Sequence, residues 1–497
     1  MAWYAEEIAY GLLPVAIQNA IVARHGRRIY RDRFGAGYDE LSRLLEESER
    51  GDPELHRAYQ NARLAELIAH AYETVPYYRE VMDARSLTPS DITRVEDLAK
   101  LPVLRKEDVQ AAGDRLISRA ANRRALRRGA TSASTGMPLT VTWDRAVAMM
   151  NHASYMRLRR WVGAPIGRPY ATMQGRIVAA MGQKRPPFWR ENPAWNQTFY
   201  STLHMSEANL VHYVANLRRS GAEMLEAYPS SAFALARFLE SRGEYLPFKG
   251  LITTGEPLLS VEREIIEERF QTRAYDSYGQ AERVAFSSEC EEHAGHHVYP
   301  EYGIAEVVGE SGETLPAGQS GLLVGTGLHN YAMPLIRYAC GDVAALSERS
   351  CPCGRTLPLM EGVLSRVGDL IVTPDGRTVP PIMVSWVVRW IEGVTQYQIR
   401  QDSVEELRML VVTPAPITDE ERRNVHHHFE RRLGRGMRVT VERVDDIPRS
   451  DRGKKRLVVS RVPLPWGGGN LLSGQEEGEG GFDDRADGGA SGDAHTE

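Results

Sequence analysis

The sequence predicts an α/β protein, with a large multi-layer N-terminal domain of mostly parallel sheets and a small α+β C-terminal domain. Three observations predict it. A strand–loop–helix–strand alternation runs from Gly250 to Tyr278, the pattern of a parallel sheet. The 497 residues exceed what one small core can organise. After Gly362 the pattern turns to short strands and two helices, a unit of about 100 residues that is large enough to fold alone.

Taken in order, the apolar segment from Tyr10 to Ala23 reads as a helix packed on the body, with reversible membrane-surface contact as the weaker alternative. Pro53 to Glu73 reads as a helix with Leu55, Tyr59, Leu64, Leu67 and Ile68 roughly on one face. Pro76-Tyr77-Tyr78 follows, then Leu101-Pro102-Val103-Leu104. Asp144 to Trp161 is helical in pattern, with Met149, Met150 and Met156 expected in the core. Asn209–Arg219 and Ser231–Arg242 are two more expected helices. The run from Gly250 to Thr254 reads as a strand, Leu259 to Phe270 as a helix, and Ala274 to Tyr278 as a second strand. Ligands of such sheets bind beyond the carboxyl ends of the strands, so Thr254–Glu256 and Tyr278–Glu282 are expected at one crevice. Gly303 to Thr326 carries short β-like runs. In the second unit, Gly368–Thr373, Gln396–Gln401 and Glu406–Val412 are expected strands, and Pro381–Glu392 and Thr418–Leu433 expected helices. Beyond Gly467, glycine, serine and acids replace apolar residues, as in disordered tails.

Composition excludes several classes. Hydrophobic residues make up 42% and charged residues 26%, as in ordinary globular proteins. A net charge of −5 gives no basic surface for nucleic acid. Four cysteines are too few for a secreted disulfide framework, which points to the cytoplasm. No apolar run is long enough for stable membrane insertion, and the N-terminus lacks the pattern of a signal peptide. A homodimer is compatible with the sequence and not required by it.

Two local patterns carry chemistry. Thr131-Ser132-Ala133-Ser134-Thr135-Gly136-Met137-Pro138 packs hydroxyls around a glycine, and such a loop can aim N–H and O–H groups at a phosphate. An ordinary Ser/Thr-rich turn has the same composition. Cys351-Pro352-Cys353, with Cys290 and one of His293, His296 or His297, supplies three thiolates and an imidazole, a tetrahedral Zn²⁺ donor set. The alternative is a group of reduced surface cysteines. His426-His427-His428 cannot share one small ion, because successive helical residues point about 100° apart.

Six stretches follow one another in an informative order: Thr131–Pro138, Thr254-Gly255-Glu256, Ser277–Glu282, Met333–Asp342, Arg366–Asp369 and Pro448–Lys454. Together with the Pro-Tyr-Tyr and Leu-Pro-Val-Leu segments, they resemble the adenylate-forming (ANL) superfamily. The branch is that of phenylacetate–CoA ligase and capsular polysaccharide biosynthesis adenylating proteins. The resemblance covers nearly the whole chain before the tail. It implies domains at 1–364 (N-terminal, ATP-binding) and 365–463 (mobile, C-terminal), followed by a tail at 464–497.

The resemblance further implies an ATP-dependent, AMP-forming carboxylate ligase. Such an enzyme forms an acyl-adenylate, releases pyrophosphate, and passes the acyl group to coenzyme A. An amine, a hydroxyl or a carrier protein as acceptor, and a non-catalytic nucleotide-binding homologue, are the alternatives. By resemblance, Thr131, Ser132, Ser134, Thr135 and Gly136 hold the β- and γ-phosphates. Tyr278 and Gly279, with Gly255 and Glu256, line the adenine pocket, and Glu282 holds Mg²⁺. Asp342 accepts from the ribose hydroxyls with help from Arg366, and Lys454 bridges the carboxylate and the α-phosphate. Asp369 matches the hinge. The branch's zinc pattern selects His297 to join Cys290, Cys351 and Cys353. Two residues depart from it: Ala133 replaces a usual glycine, and Met137 a frequent lysine, which weakens phosphate grip and favours the non-catalytic alternative. The acid pocket is expected between Met149 and Ala285, with Met173, Gln174, His204 and Met205.

Overall fold

The structure is a computed structural model that describes residues 10–11, 13–130, 139–164, 167–176, 178–180, 182–366, 369–375, 378–379, 384–434, 436–448 and 456–462. Thr131–Pro138 and Lys454 therefore lie outside the described residues.

The first strands are β1 (Arg127–Ala130) and β2 (Thr140–Trp143), an antiparallel hairpin whose connection is the hydroxyl-rich stretch. Next come β3 (Tyr170–Met173), β4 (Trp189–Asn192), β5 (Gln197–Tyr200), β6 (Met224–Ala227), β7 (Gly250–Thr254) and β8 (Ala274–Gly279). After these stand β9 (Phe286–Ser288), β10 (His296–Val298), β11 (Gly303–Val308), β12 (Ser320–Gly327), β13 (Tyr338–Ser347) and β14 (Leu359–Arg366). Strands β3 to β14 form one twelve-stranded sheet, ordered β11-β12-β13-β14-β10-β9-β8-β7-β6-β3-β5-β4. Its β5-β3-β6-β7-β8 half is parallel and apolar, as expected when helices cover a sheet. The half from β8 through β9 to β11 is antiparallel.

The helix Pro229–Ser241 is apolar nearly all round and buries Ala232, Phe233, Leu235, Ala236 and Leu239 against Leu225 and Leu251 of the parallel half. Arg145–Trp161 covers the other face, where Leu158 meets Tyr170, Met224 and Ile252. Asp144 caps it by accepting from Val147 N at 3.2 Å. Met150 and Met156 are buried as expected, whereas Met149 is half-buried. Tyr10 and Gly11 are helical, and after Pro14 a helix runs Val15–Arg33, reaching well past Ala23. In Pro53–Thr74, Leu64, Leu67 and Ile68 are buried, but Leu55 is 64% exposed, since it sits in the first turn beyond the core's edge. No described helix is long and apolar enough to cross a membrane.

The C-terminal unit holds β15 (Ile371–Val372), β16 (Thr378–Val379), β17 (Gln396–Ser403), β18 (Glu406–Val412), β19 (Arg438–Arg443) and β20 (Val458–Ser460). The last four make a sheet ordered β19-β18-β17-β20, covered by Asp419–Leu433. Thr418 and Glu421 cap that helix reciprocally. Gly368–Thr373 contributes only the short β15. Of the expected helix Pro381–Glu392, residues 381–383 lie outside the described residues, and Ser385–Trp390 is a 3₁₀ segment. Its Val387 and Val388 are β-branched and weaken a regular helix. Leu259 and Val261 at the start of Ser260–Phe270 join the C-terminal core, and Arg389 pairs with Glu264 across the junction.

Candidate active site

The segment Leu335–Ala339 leads into β13 and is clamped from three sides. Tyr78, in the helix Pro76–Asp83, donates through its hydroxyl to Pro334 O (3.0 Å) and accepts from Ile336 N (2.9 Å). Leu104 N donates to Arg337 O at 2.8 Å, and Ala339 N to Leu104 O at 2.9 Å. Arg337 is buried, pairs with Glu306 at 3.2 Å, and donates to Leu101 O at 2.8 Å. Its φ of +53° is rare for a non-glycine residue, and these contacts hold it there. The Pro-Tyr-Tyr and Leu-Pro-Val-Leu segments thus fix the entry of the strand that carries Tyr338 and Asp342.

Strands β8 and β13 are not neighbours in the sheet, yet their side chains meet in a crossed pair. The Tyr278 hydroxyl donates to Asp342 Oδ2 at 2.7 Å. The Tyr338 hydroxyl donates to Glu282 Oε1 at 2.9 Å. In both segments the tyrosine precedes the acid by four residues, Glu282 lying just beyond the end of β8. Burial drives the Tyr278 and Tyr338 hydroxyls up, and the neighbouring carboxylates push them further, so both stay protonated donors. Gln280 Nε2 reaches Cys340 Sγ at 3.1 Å, which knits the same two segments. Gly341, with φ +75°, lies in the β-bulge of β13 next to Asp342, a conformation costly for any other side chain.

The ends of β7 and β8 are joined side by side. Thr253 Oγ1 donates to Asp276 Oδ1 (2.7 Å), and Ser277 Oγ donates to Thr253 O (2.9 Å). Beyond β7, Glu256 Oε2 accepts from Ser230 N at 3.0 Å. A carboxylate at that helix N-terminus satisfies an orphan N–H and meets the positive end of the dipole. Asp342 pairs in register with Arg366 of β14.

Asp369 Oδ1 lies 2.8 Å from Arg456 Nη2. Arg456 O accepts from Gln398 Nε2 at 2.9 Å, so the residue two positions beyond Lys454 is fastened to the C-terminal sheet. A cleft of about 360 Å³ lies elsewhere, beside Val15, Trp189 and Arg219, and carries none of these groups.

A second cluster lies behind β9, β10 and β14. The donor atoms of Cys290, His297, Cys351 and Cys353 all lie within 4.8 Å of one another. Cys290 Sγ is 3.6 Å from Cys351 Sγ, too far for a disulfide. Cys353 Sγ is 3.4 Å from His297 Nε2. A tetrahedral Zn²⁺ with Zn–S near 2.3 Å sets its sulfurs about 3.8 Å apart, so the spacing fits the ion. Burial holds His297 down to about 4, in the neutral form that ligates metals. The other two histidines are engaged elsewhere. His293 Nδ1 is 3.1 Å from Glu289, and His296 Nε2 is 3.5 Å from Asp276.

Sequence reasoning singled out Glu282, Asp342 and Tyr278 but gave no role to Tyr338, Ser230 or Arg456. The shared spacing of tyrosine and acid was the available signal for Tyr338. Nothing local marks Ser230 or Arg456, whose partners are set by tertiary structure.

A profile of the CapK C-terminal domain matches residues 371–461. Over 447 residues the chain is 28% identical to phenylacetate-coenzyme A ligase from Thermus thermophilus, covering 81% of this chain and 96% of the relative. It is 24% identical to Protein CapK from Staphylococcus aureus, covering 91% and 99% respectively. The crystal structure of 2-hydroxyisobutyryl-CoA ligase in the postadenylation state superposes with a TM-score of 0.66 at 21% identity, covering 84% of this chain and 91% of that one.

Proposed function

Since the chain belongs to the adenylate-forming superfamily, in the branch of phenylacetate–CoA ligase and CapK, we propose that it is an ATP-dependent, AMP-forming acid–thiol ligase. An oxygen of the substrate carboxylate attacks the α-phosphorus of ATP. The bond to the β-phosphate breaks, and pyrophosphate leaves. The thiolate of coenzyme A then attacks the acyl carbon, and AMP leaves with the bond electrons.

The observation that carries this reading is the crossed pair Tyr278–Asp342 and Tyr338–Glu282 at the ends of β8 and β13. It presents two preorganised carboxylates on one side of the sheet, where a nucleotide needs a ribose acceptor and a metal ligand. Asp342 takes the ribose hydroxyls, with Arg366 beside it in register. Tyr278 and Gly279, with Gly255 and Glu256, flank the adenine, and Thr131, Ser132, Ser134, Thr135 and Gly136 take the distal phosphates. Glu282 would hold Mg²⁺, which when bound screens the phosphate charge. Lys454 supplies a compact positive charge between the two reacting anions. The C-terminal unit, 365–463, turns about Asp369 between the half-reactions. The thiol–imidazole cluster would hold a structural Zn²⁺; four protein ligands leave no open position for catalysis.

The test is a screen of carboxylic acids for ATP-dependent pyrophosphate release, with and without coenzyme A. Release with acid alone and an acyl-CoA with both is expected. ATP turnover unaffected by any acid would overturn the reading.

A further inference from the structure

The helix Val15–Arg33 is fastened to the body along one side. Gln18 is buried, and its Oε1 accepts from Arg190 Nε at 2.6 Å. Asn19 Oδ1 accepts from Glu191 N at 3.1 Å, and Gly26 O accepts from Trp195 Nε1 at 2.9 Å. Gly26 is also buried, and a Cβ there would run into the Asn192 side chain, so the helix sits close against β4. These contacts fix the roll of the helix, and they settle which residues face outward.

The outward residues recur at spacings of four and three: Ile17, Ile21, Arg24, Arg28 and Arg31, with Ala20 and Arg27 beside them. All seven are exposed, Ile17 by 46% and Ile21 by 44%. The line runs about 21 Å along the helix, apolar in its first half and basic in its second. A single exposed isoleucine is ordinary. Two on adjacent turns, in line with exposed arginines, form a surface that packing against the body does not use. Among the described residues, no carboxylate pairs with Arg24, Arg27, Arg28 or Arg31. Asp32, the helix's one acid, lies 2.6 Å from Arg127 instead. The whole chain carries a net charge of −5, so this face runs against the overall balance. The cleft beside Val15, Asn19 and Arg219 opens along the same helix, with the exposed Lys184 and Arg185 leading into its Pro186 wall and Glu191 as its one acid.

We propose that this face docks the chain on an anionic membrane surface. Ile17 and Ile21 enter the boundary between headgroups and acyl chains, and Arg24, Arg27, Arg28 and Arg31 meet lipid phosphates. Guanidiniums suit phosphate because they pair with it bidentately. A helix lying in the plane of a membrane needs both an apolar strip and nearby basic residues. Nucleic acid would engage the arginines and leave the isoleucines in water, so the joint pattern selects lipid. The docking surface is independent of the ligase reading above.

The full chain is sedimented with vesicles of phosphatidylcholine alone and of phosphatidylcholine with phosphatidylglycerol in equal parts. It is expected to bind the anionic vesicles in preference to the neutral ones, and less as salt rises. Arg24→Gln with Arg28→Gln is expected to weaken partitioning by about tenfold or more. Ile17→Ser with Ile21→Ser is expected to weaken it by about fivefold or more. All four side chains are exposed, so Tm should hold in both variants; where it falls, Arg27→Gln with Arg31→Gln replaces the arginine pair. No binding to anionic vesicles, equal binding to both kinds, or binding indifferent to the arginine variants overturns the proposal. Binding that the isoleucine variant leaves unchanged assigns the face to polyanions in general and also overturns it.

Discussion

Asp342 and Glu282 each accept a hydroxyl from a tyrosine that burial keeps protonated. Both carboxylates are therefore oriented before a nucleotide arrives, and little reorganisation remains at binding. Asp342→Ala should raise the KM for ATP by about tenfold or more, since a hydrogen bond to a charged group contributes about 1.5–3 kcal/mol. Steady-state kinetics at saturating acid measures this; an unchanged KM would remove Asp342 from the ribose. The family resemblance picked out these two acids, because each lies in one of the six ordered stretches that carry it. What it could not give was the crossing of the pair, which joins residues 56 and 64 positions apart. Leu55 shows the opposite error: it fits the helical stripe, but the stripe outruns the core.

At the scale of elements, the thiol–imidazole cluster ties the turn at Cys351–Cys353 to His297 of β10 and Cys290 after β9. Arg50 Nη1 donates to Cys353 O at 2.9 Å, and the Arg355 guanidinium lies 4.3 Å over Trp161, the last residue of the helix Arg145–Trp161. Purified protein should contain about one equivalent of zinc. Cys351→Ser should remove the metal and lower Tm; metal analysis showing none in the parent chain would leave an apolar thiol cluster. The cysteine spacing made this donor set readable and the resemblance selected His297, while the strand register turns His296 towards Asp276. Asp369, held by Arg456, stands where the two units join. Asp369→Pro should spare acid-dependent pyrophosphate release and slow thioester formation, as expected of a hinge. Equal loss of both half-reactions, measured separately, would argue for a static linker.

Across the whole molecule, a buried ion pair fastens the N-terminal helices to the body. Arg157 and Glu301 meet at 2.9 Å, both almost wholly buried, and Arg157 also donates to Ser48 Oγ at 3.0 Å in the helix Tyr38–Ser48. Burial alone would raise Glu301, but the charge and hydrogen bonds of Arg157 outweigh it and hold Glu301 below its usual range. A depressed carboxylate contributes stability above its unfolded pKa, and that contribution fades as pH falls through the lower folded value. Glu301→Gln should therefore cost about 3–5 kcal/mol near neutral pH and flatten the loss of stability on acidification. Chemical denaturation at several pH values reads both; equal slopes in the two proteins would contradict it. The parallel half of the sheet was legible because strand and helix alternate there. In the antiparallel half, β11 and β12 were legible as the short β-like runs of Gly303–Thr326, whereas β9 and β10 were not, because they bury polar residues on both faces, Ser287, Ser288, His296 and His297, and so show no hydrophobic period.

Separate pieces of this chain are held to converge on one triphosphate. Acid-dependent exchange of labelled pyrophosphate into ATP tests that convergence most directly, because it reports adenylate formation without the transfer step. The parent chain should exchange label only when its acid is present, and Lys454→Ala should lose that exchange by about 10²–10³-fold while keeping its Tm. Exchange that ignores the acid, or that survives Lys454→Ala at the parental rate, would contradict it.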